Sequence, residues 1–239
     1  MAERNKLSII IPVYNSHRVL RRQILYWQQL GIPESVEIII MDDGSDPPLN
    51  FPKTRLKNFN IYPTGDTRPW TQPCAKNMGA ELAKGEYLFF TDIDHIITPE
   101  SFNEALNFRG DRLQFTRKYG ILNRSGKIVT DPNILFTYGM GKRRYRRRGR
   151  RVYHHVNTFV IRKKIFHELG GFPSRLCKLG RHNIYDDNHF WHRYRKHHEA
   201  GKCKKVDWGS DVLVFPGTIE DPQKLFHNLP REKKGKGSV

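Results

Sequence analysis

Residues 72–94 read QPCAKNMGAELAKGEYLFFTDID. Near the end of this stretch, Tyr87–Phe90 is a short apolar run, the pattern of a strand buried on both faces of a parallel sheet. It stops at Thr91-Asp92-Ile93-Asp94, which places two carboxylates at i and i+2 just past a strand end. The residues before it, from about Gln72 to Ala83, read as a helix with Ala75, Met78, Gly79 and Leu82 on one face. A helix feeding a buried strand that ends in acids is half of a βαβ unit. In such sheets ligands gather at the carboxyl ends of the strands.

The same grammar extends upstream. Leu7–Val13 (LSIIIPV) is an almost wholly apolar run followed by Asn15-Ser16. Leu20, Ile24, Trp27 and Leu30 recur at helical spacing, and Gly31-Ile32-Pro33 ends that helix. Val36–Met41 is a second buried strand, stopped by the dense turn signal Asp42-Asp43-Gly44-Ser45-Asp46-Pro47-Pro48. A third short strand covers Asn60–Tyr62. Strands alternating with helices predict an α/β fold, a Rossmann-like and mostly parallel central sheet flanked by helices.

Downstream the pattern is less regular. A helix is expected over Pro99–Phe108, strands and turns over 112–140, and a solvated loop over 142–151. Further along come a strand at Thr158–Ile161, a short helix at Lys163–Leu169 and a helix at Asp186–His198. The last of these opens on two acids, which suits the positive end of its dipole. A strand covers Asp211–Phe215, and the tail 231–239 is basic and frayed. The expected organisation is one continuous domain. It has two halves, residues 1–100 and residues 101–230, the second carrying the basic loop 142–151.

Two carboxylates at i and i+2 beyond a strand can reach a hard cation that also holds phosphate oxygens. No Gly-x-Gly-x-x-Gly follows the first strand, and no Gly-x-x-x-x-Gly-Lys-Ser/Thr occurs. Any phosphate must therefore be held by metal and side chains. Arg68 and Lys76 are the candidates, each also readable as plain surface charge. Trp70, in a loop between Pro69 and Thr71, faces either ligand or solvent.

The chain has 239 residues and a formal charge of +18, distributed unevenly. Residues 1–100 hold 11 Lys+Arg against 12 Asp+Glu, a net of −1, whereas residues 101–239 hold 31 against 12, a net of +19. A field of that size attracts polyanions. It is densest in Lys142-Arg143-Arg144-Tyr145-Arg146-Arg147-Arg148-Gly149-Arg150-Arg151. No apolar run approaches the length of a membrane span, and no basic-then-apolar leader opens the chain. Three cysteines (Cys74, Cys177, Cys203) lack metal spacing, so a reduced, cytoplasmic setting is expected. Lys202, Lys204 and Lys205 around Cys203 would depress its thiol pKa if they reach it.

In this order, these residues resemble the family 2 glycosyltransferases of the GT-A fold. The likeness covers residues 6–105 well and 155–200 in outline. LSIIIPVYN is similar to the family's opening strand and base-contacting loop, and VEIIIMDDGSD to the strand whose Asp holds uracil or ribose. AKNMGAELAKGEYLFFTDID is similar to the helix, strand and Asp-x-Asp that hold a sugar diphosphate with Mn²⁺ or Mg²⁺. NTFVIRKKIFHELGGF is similar to the segment preceding the acceptor loop, and YDDNHFWHRYRK to the helix start bearing the catalytic acid pair.

The resemblance implies an inverting transfer from a nucleotide sugar, a UDP-sugar first. It makes residues 1–100 the donor-binding half and residues 101–230 the acceptor-binding half, with donor contacts at Pro12, Tyr14, Asn15, Asp43 and Asp92 beside the candidates Arg68 and Lys76, and with metal ligands at Asp94 and Asp92 and a late His227 as a third. It makes Asp187 the general base. The chain departs from the family in having Asp186 where Glu is common, and the basic run has no counterpart.

Asp186, Trp70, Arg143, Arg144, Arg146, Arg147 and Arg148 are the expected acceptor contacts. The basic run has only Tyr145 among its charges, whereas membrane-docking segments interleave several apolar residues. A polyanionic acceptor is therefore expected, with hydroxymethylated DNA of the phage type as its concrete version. A lipid-linked or polysaccharide acceptor at an anionic membrane, with peripheral contact, is the alternative. The more distant rivals are a nuclease using Asp186, Asp187, His189 and His192, and a non-catalytic nucleic-acid binder.

Overall fold

The structure, a computed structural model, describes residues 6–51, 54–66, 71–152, 156–173 and 186–216, with Asp186 described in its backbone alone. The first unit runs β1 (Leu7–Val13), α1 (His17–Leu30), β2 (Val36–Asp42) and β3 (Phe59–Pro63). The chain then crosses back through α2 (Gln72–Leu82) to β4 (Tyr87–Phe90) on the other side of β1. β2 and β4 both pair in parallel with β1, Ile10 lying opposite Ile39 on one side and Phe90 on the other. This reversal of order opens a crevice at the carboxyl ends of β1 and β4.

β5 (His95–Ile96), α3 (Pro99–Asn107), β6 (Arg112–Tyr119), β7 (Ile121–Leu122) and β8 (Ile128–Val129) follow. Next come α4 (Pro132–Thr137), α5 (Lys142–Arg148), β9 (Phe159–Arg162), α6 (Lys163–Glu168), α7 (Asp186–Glu199) and β10 (Asp207–Val214). The main sheet has the order β3-β2-β1-β4-β9-β6-β10-β5. β9 runs antiparallel to both neighbours and β5 antiparallel to β10, while the other described pairings are parallel. The expected α/β architecture is therefore present.

The apolar strands are buried on both faces because helices cover both. Ile9, Ile11 and Val13 pack with Leu20, Ile24 and Trp27 of α1 on one side. Ile10, Ile39 and Met41 pack with Ala75 and Ala80 of α2 and with Phe166, Phe190 and Tyr194 on the other. Each such side chain contributes roughly 1.5–3 kcal/mol relative to exposure. Glu37, inside the apolar run of β2, is buried but accepts hydrogen bonds from Ser8 Oγ (2.6 Å) and the Lys84 amide.

Several expectations are corrected. In α2 the buried residues are Pro73, Ala75, Lys76, Gly79 and Ala80, while Met78 and Leu82 are exposed. The helix lies so close to the sheet that a Cβ on Gly79 would stand 2.5 Å from Ile10 Cγ2. Small residues therefore decide the inward face, and the larger apolar ones turn out. The stretch 132–137 is a helix, started by Pro132 and capped by the Asp131 carboxylate, which accepts from the Asn133 amide at 2.8 Å.

The basic run is also not a loop, since Lys142–Arg148 forms α5. Tyr145 anchors it edge-on against Phe136 (centroids 5.5 Å apart), with the Lys142 ammonium 5.7 Å from the same ring. The last strand begins at Asp207, ahead of the expected Asp211.

The thiols differ too. Cys74 is disulfide-bonded and Cys203 is free, so the expectation of uniformly reduced cysteines is replaced. Burial pushes the Cys203 thiol pKa up, because the neighbouring lysines do not outweigh its partial desolvation.

Candidate active site

Three strand ends meet at the crevice. At the end of β1, Asn15 adopts φ 49°, a left-handed conformation that Asn tolerates better than most residues. Its amide donates to Ser45 Oγ (2.9 Å), and its side-chain oxygen accepts from the Asp46 amide (2.7 Å). Asn15 thus clips the β1 turn to the β2 turn. Pro12 is buried in β1 and Tyr14 half-buried just after it.

At the end of β2 the two acids divide the work. Asp42 accepts from the amides of Ser45 (2.9 Å) and Leu49 (2.8 Å), so it shapes the turn. Asp43 is buried and accepts from the hydroxyl of Thr71 at the start of α2.

The third end carries Asp92-Ile93-Asp94-His95. Gln23 of α1 donates to the carbonyl oxygens of Ile93 (3.1 Å) and His95 (2.6 Å), fixing the turn from behind. Gln72 (2.8 Å) and Asn157 donate to the two oxygens of Asp92. Lys76 has no exposed surface. Its ammonium lies 3.0 Å from Asp187 Oδ1, 3.7 Å from Asp92 Oδ1 and 5.0 Å from the Phe172 ring centroid. Residues 111 positions apart, Lys76 and Asp187, thus become one ion pair that also reaches the acid of β4.

Asp92, Asp94 and His95 offer ligand atoms that all lie within 4.8 Å of one another. The carboxyl of Asp94 is held above its ordinary range, first by desolvation and then by the charge of Asp92, with His95 opposing. Its side chain stays 39% exposed, so the group lies deep among protein atoms yet open on one side. Two oxygen donors in such a setting fit a hard divalent cation.

His95 lies beside the two carboxylates, its Nδ1 3.9 Å from Asp92 Oδ2 and 4.0 Å from Asp94 Oδ1. Its Nε2 faces Arg117 Nη1 at 3.4 Å, and a guanidinium can only donate there. That contact selects the tautomer with the proton on Nδ1, donated to Thr158 Oγ1 (3.1 Å). In this arrangement the ring orients the turn, and Asp92 and Asp94 offer the oxygen atoms that could hold a cation.

Beneath α7 lies Arg112, fully buried. Its guanidinium carbon is 3.9 Å from the Phe159 ring centroid, 4.8 Å from Trp191, 5.3 Å from Tyr194 and 5.6 Å from Phe190. Nη2 donates to Gln114 (3.0 Å) and the Val156 carbonyl (3.4 Å), while Nε and Nη1 have no partner. Burial pulls its pKa down to about 9, opposed by Tyr194 and by Asp187 above it. Trp191 is half-buried and serves this stack.

Of the predicted acceptor contacts, Arg143, Arg146, Arg147 and Arg148 are exposed on α5. Arg144 turns inward and donates to Tyr119 Oη at 2.8 Å, tying α5 to the end of β6. Arg68, Trp70 and His227 lie outside the described residues, as does the side chain of Asp186. Asp187, His189 and His192 form no metal-binding cluster among the described residues.

Thr71, Gln72, Asn157, Arg112 and Arg117 escaped the sequence reading. Thr71 and Gln72 neighbour the helix start and were within reach. Arg112 and Asn157 become legible only once β6 and β9 are placed beside β4.

Residues 8–184 match the model described as glycosyl transferase family 2. The chain belongs to that family. An uncharacterized glycosyltransferase of Haemophilus influenzae is 32% identical over 108 residues, 43% of this chain and 41% of its own length. The poly(ribitol-phosphate) beta-glucosyltransferase of Bacillus spizizenii is 35% identical over 107 residues, 43% of this chain and 17% of the relative. The poly(ribitol-phosphate) beta-N-acetylglucosaminyltransferase TarP of Staphylococcus aureus is 26% identical over 140 residues, 56% of this chain and 42% of the relative.

The chain thus spans less than half the length of these relatives. In structure it is similar to S. aureus TarS (TM-score 0.56, 18% identity, 90% of this chain and 37% of that one). It is also similar to the mannosyltransferase PcManGT of Pyrobaculum calidifontis, solved with GDP-Man and Mn²⁺ (TM-score 0.53, 14% identity, 90% and 58%). The fold is that of the GT-A glycosyltransferases.

Proposed function

We propose that the chain transfers a sugar from a nucleotide-sugar donor to a hydroxyl of a polyanionic acceptor, with inversion and with a divalent cation. The observation that carries this reading is the Asp92–Lys76–Asp187 network. It puts a cation site and a carboxylate from another element on either side of one buried ammonium. A divalent cation, Mn²⁺ or Mg²⁺, held by Asp92 and Asp94 supplies positive charge for a departing diphosphate. Pro12, Tyr14, Asn15 and Asp43 shape the nucleoside end, and Arg68 is assigned to the donor on sequence grounds alone. A UDP-sugar is the first donor to test.

Asp187 acts as the general base. Lys76 occupies its Oδ1, which leaves Oδ2 for the acceptor hydroxyl. The acceptor oxygen forms the new bond to the anomeric carbon as the diphosphate leaves, and its proton passes to Asp187. Lys76 is therefore a positioning residue between base and donor site rather than a surface charge. His227 and Asp186 remain sequence assignments, to the metal and the acceptor respectively.

For the acceptor, the exposed arginines of α5 favour a chain of phosphodiesters. Two relatives are named for poly(ribitol-phosphate), which supports a polyol-phosphate polymer. Hydroxymethylated DNA fits the same charge but draws no support from the relatives.

A transfer assay with UDP- and GDP-sugars tests the reading. It crosses them with a poly(ribitol phosphate), hydroxymethylated DNA, a neutral polysaccharide and anionic vesicles, each with Mn²⁺ and with chelator. Cation-dependent transfer to the polyol phosphate is expected. Transfer to the neutral polymer alone would overturn the polyanion assignment, and DNA as the better acceptor would replace it with the second reading.

A further inference from the structure

Residues of α1, the β7–β8 hairpin and the C-terminal end of α4 line an open cavity of about 340 Å³. It is lined by Arg22, Asn123, Arg124 and Tyr138, with Ile121 and Ile134 among its apolar walls. Nothing in the transfer reading uses it. Its size is at the lower end of small-molecule sites.

The two charged groups of this cavity, Arg22 and Arg124, share one sign. Arg22 is half-buried and held in place, its Nη1 donating to the Leu122 carbonyl at 2.6 Å and its guanidinium bonded to Tyr138. Burial lowers its pKa, Tyr138 opposes that shift, and the positive charges of Arg124 and Arg18 add to it. Among the described residues, neither Arg22 nor Arg124 forms an ion pair with a carboxylate. Buried or half-buried cations are ordinarily paired, because taking one from water costs several kcal/mol. Here a guanidinium held by a carbonyl and a tyrosine hydroxyl has Arg124 and Arg18 as its cationic neighbours, so an anion entering the cavity relieves repulsion as well as gaining hydrogen bonds.

The walls narrow the ligand further. Ile134, 41% exposed, forms part of the apolar wall. Asn123 presents an amide, although its Oδ1 also accepts from Ser125 and Lys127. An anion with a short carbon chain and hydroxyls would match guanidinium, amide and apolar wall together. We propose that this cavity is a binding site for a phosphate ester of a small polyol.

Arg22 is followed in α1 by Gln23, the residue that holds the turn of Asp92–His95. Two sources share this chemistry, a repeat of the acceptor polymer or a free phosphate ester acting as an effector. The first rests on the acceptor reading above and the second does not.

The test is calorimetric titration of the full chain with glycerol 3-phosphate, with glycerol as the neutral control, in the absence of nucleotide sugar. Saturable binding of glycerol 3-phosphate and none of glycerol is expected. Arg22→Met should weaken it at least tenfold, while donor binding with Mn²⁺ stays as in the parent protein. Arg124→Ala, at an exposed position where folding is not at stake, should weaken it severalfold. No saturation, or unchanged affinity in both variants, would overturn the proposal. A second arm measures transfer to poly(ribitol phosphate). A raised KM for polymer in the presence of glycerol 3-phosphate assigns the site to the acceptor chain, and an unchanged KM assigns it to a free ester. The titration needs no transfer activity, so it stands if the glycosyltransferase reading fails.

Discussion

Two regions of the molecule handle charge in opposite ways. Around the ends of β1, β2 and β4, the charges point inward. Lys76, Asp42, Asp43 and Asp187 are all buried, and each has a named hydrogen-bond partner. On α5 they point outward, with four arginines exposed on one short helix. Burial makes a charge expensive unless its partner is placed well, so the first region specifies geometry. Exposure lets the second act over a Debye length, about 8 Å at physiological salt, so it specifies attraction and little else. Arg112 fits neither group, being a buried cation that is stacked among aromatic rings rather than paired.

This contrast can be broken at several points. The largest effect is expected at Asp187→Asn, which should lower transfer by about 10²–10⁴-fold while donor binding is kept. A single-turnover assay with a donor-binding titration checks both halves, and full activity would remove Asp187 as the base. Asp94→Ala should abolish the cation-dependent part of donor binding, and calorimetry showing the same affinity with and without Mn²⁺ removed in the parent would count against that site.

The pH dependence follows from the same carboxyl. Because its pKa is raised, the proton competes with the cation at pH values where an ordinary Asp is already ionised. Cation affinity should therefore increase with pH through that raised range and level off above it. A flat Mn²⁺ affinity between mildly acidic and neutral pH would contradict this.

Smaller effects probe the outward region. Replacing Arg143, Arg146, Arg147 and Arg148 together by Gln should weaken polyanion binding by about ten- to a hundredfold at low salt. It should flatten the salt dependence and leave donor binding untouched. Smallest is Arg112→Met. Exchanging a buried charge for an apolar side chain of similar length is often neutral or stabilising, so the melting temperature should hold or rise. If transfer nevertheless falls and Arg112→Lys restores part of it, the charge beneath Asp187 is used. Parent-like transfer with Met would reduce Arg112 to packing.

The sheet was legible because its strands are uninterrupted apolar runs, LSIIIPV, VEIII and YLFF, and each ends in polar turn residues. Such runs report burial on both faces whatever their neighbours. The helix faces were less legible. In α2 the alternation of large apolar residues suggested a face with Met78 and Leu82, but close approach at Gly79 turned the smaller residues inward. The helix α5 was read as a loop because its one anchoring aromatic, Tyr145, has no partner in its own segment. That partner, Phe136, comes from α4.

By itself, then, the sequence determined the order of strands and helices in the first hundred residues, the acids at strand ends and the split of charge between the halves. These are local properties, set by side-chain polarity and periodicity over a few residues. Tertiary structure alone decided that Lys76 is buried between Asp92 and Asp187, that Arg112 lies under α7, and that Arg22 and Arg124 share a cavity. Each of these joins residues distant along the chain, whose meeting depends on crossovers and sheet order. The energy of a buried charge depends on which partner the fold delivers, and no local pattern encodes that.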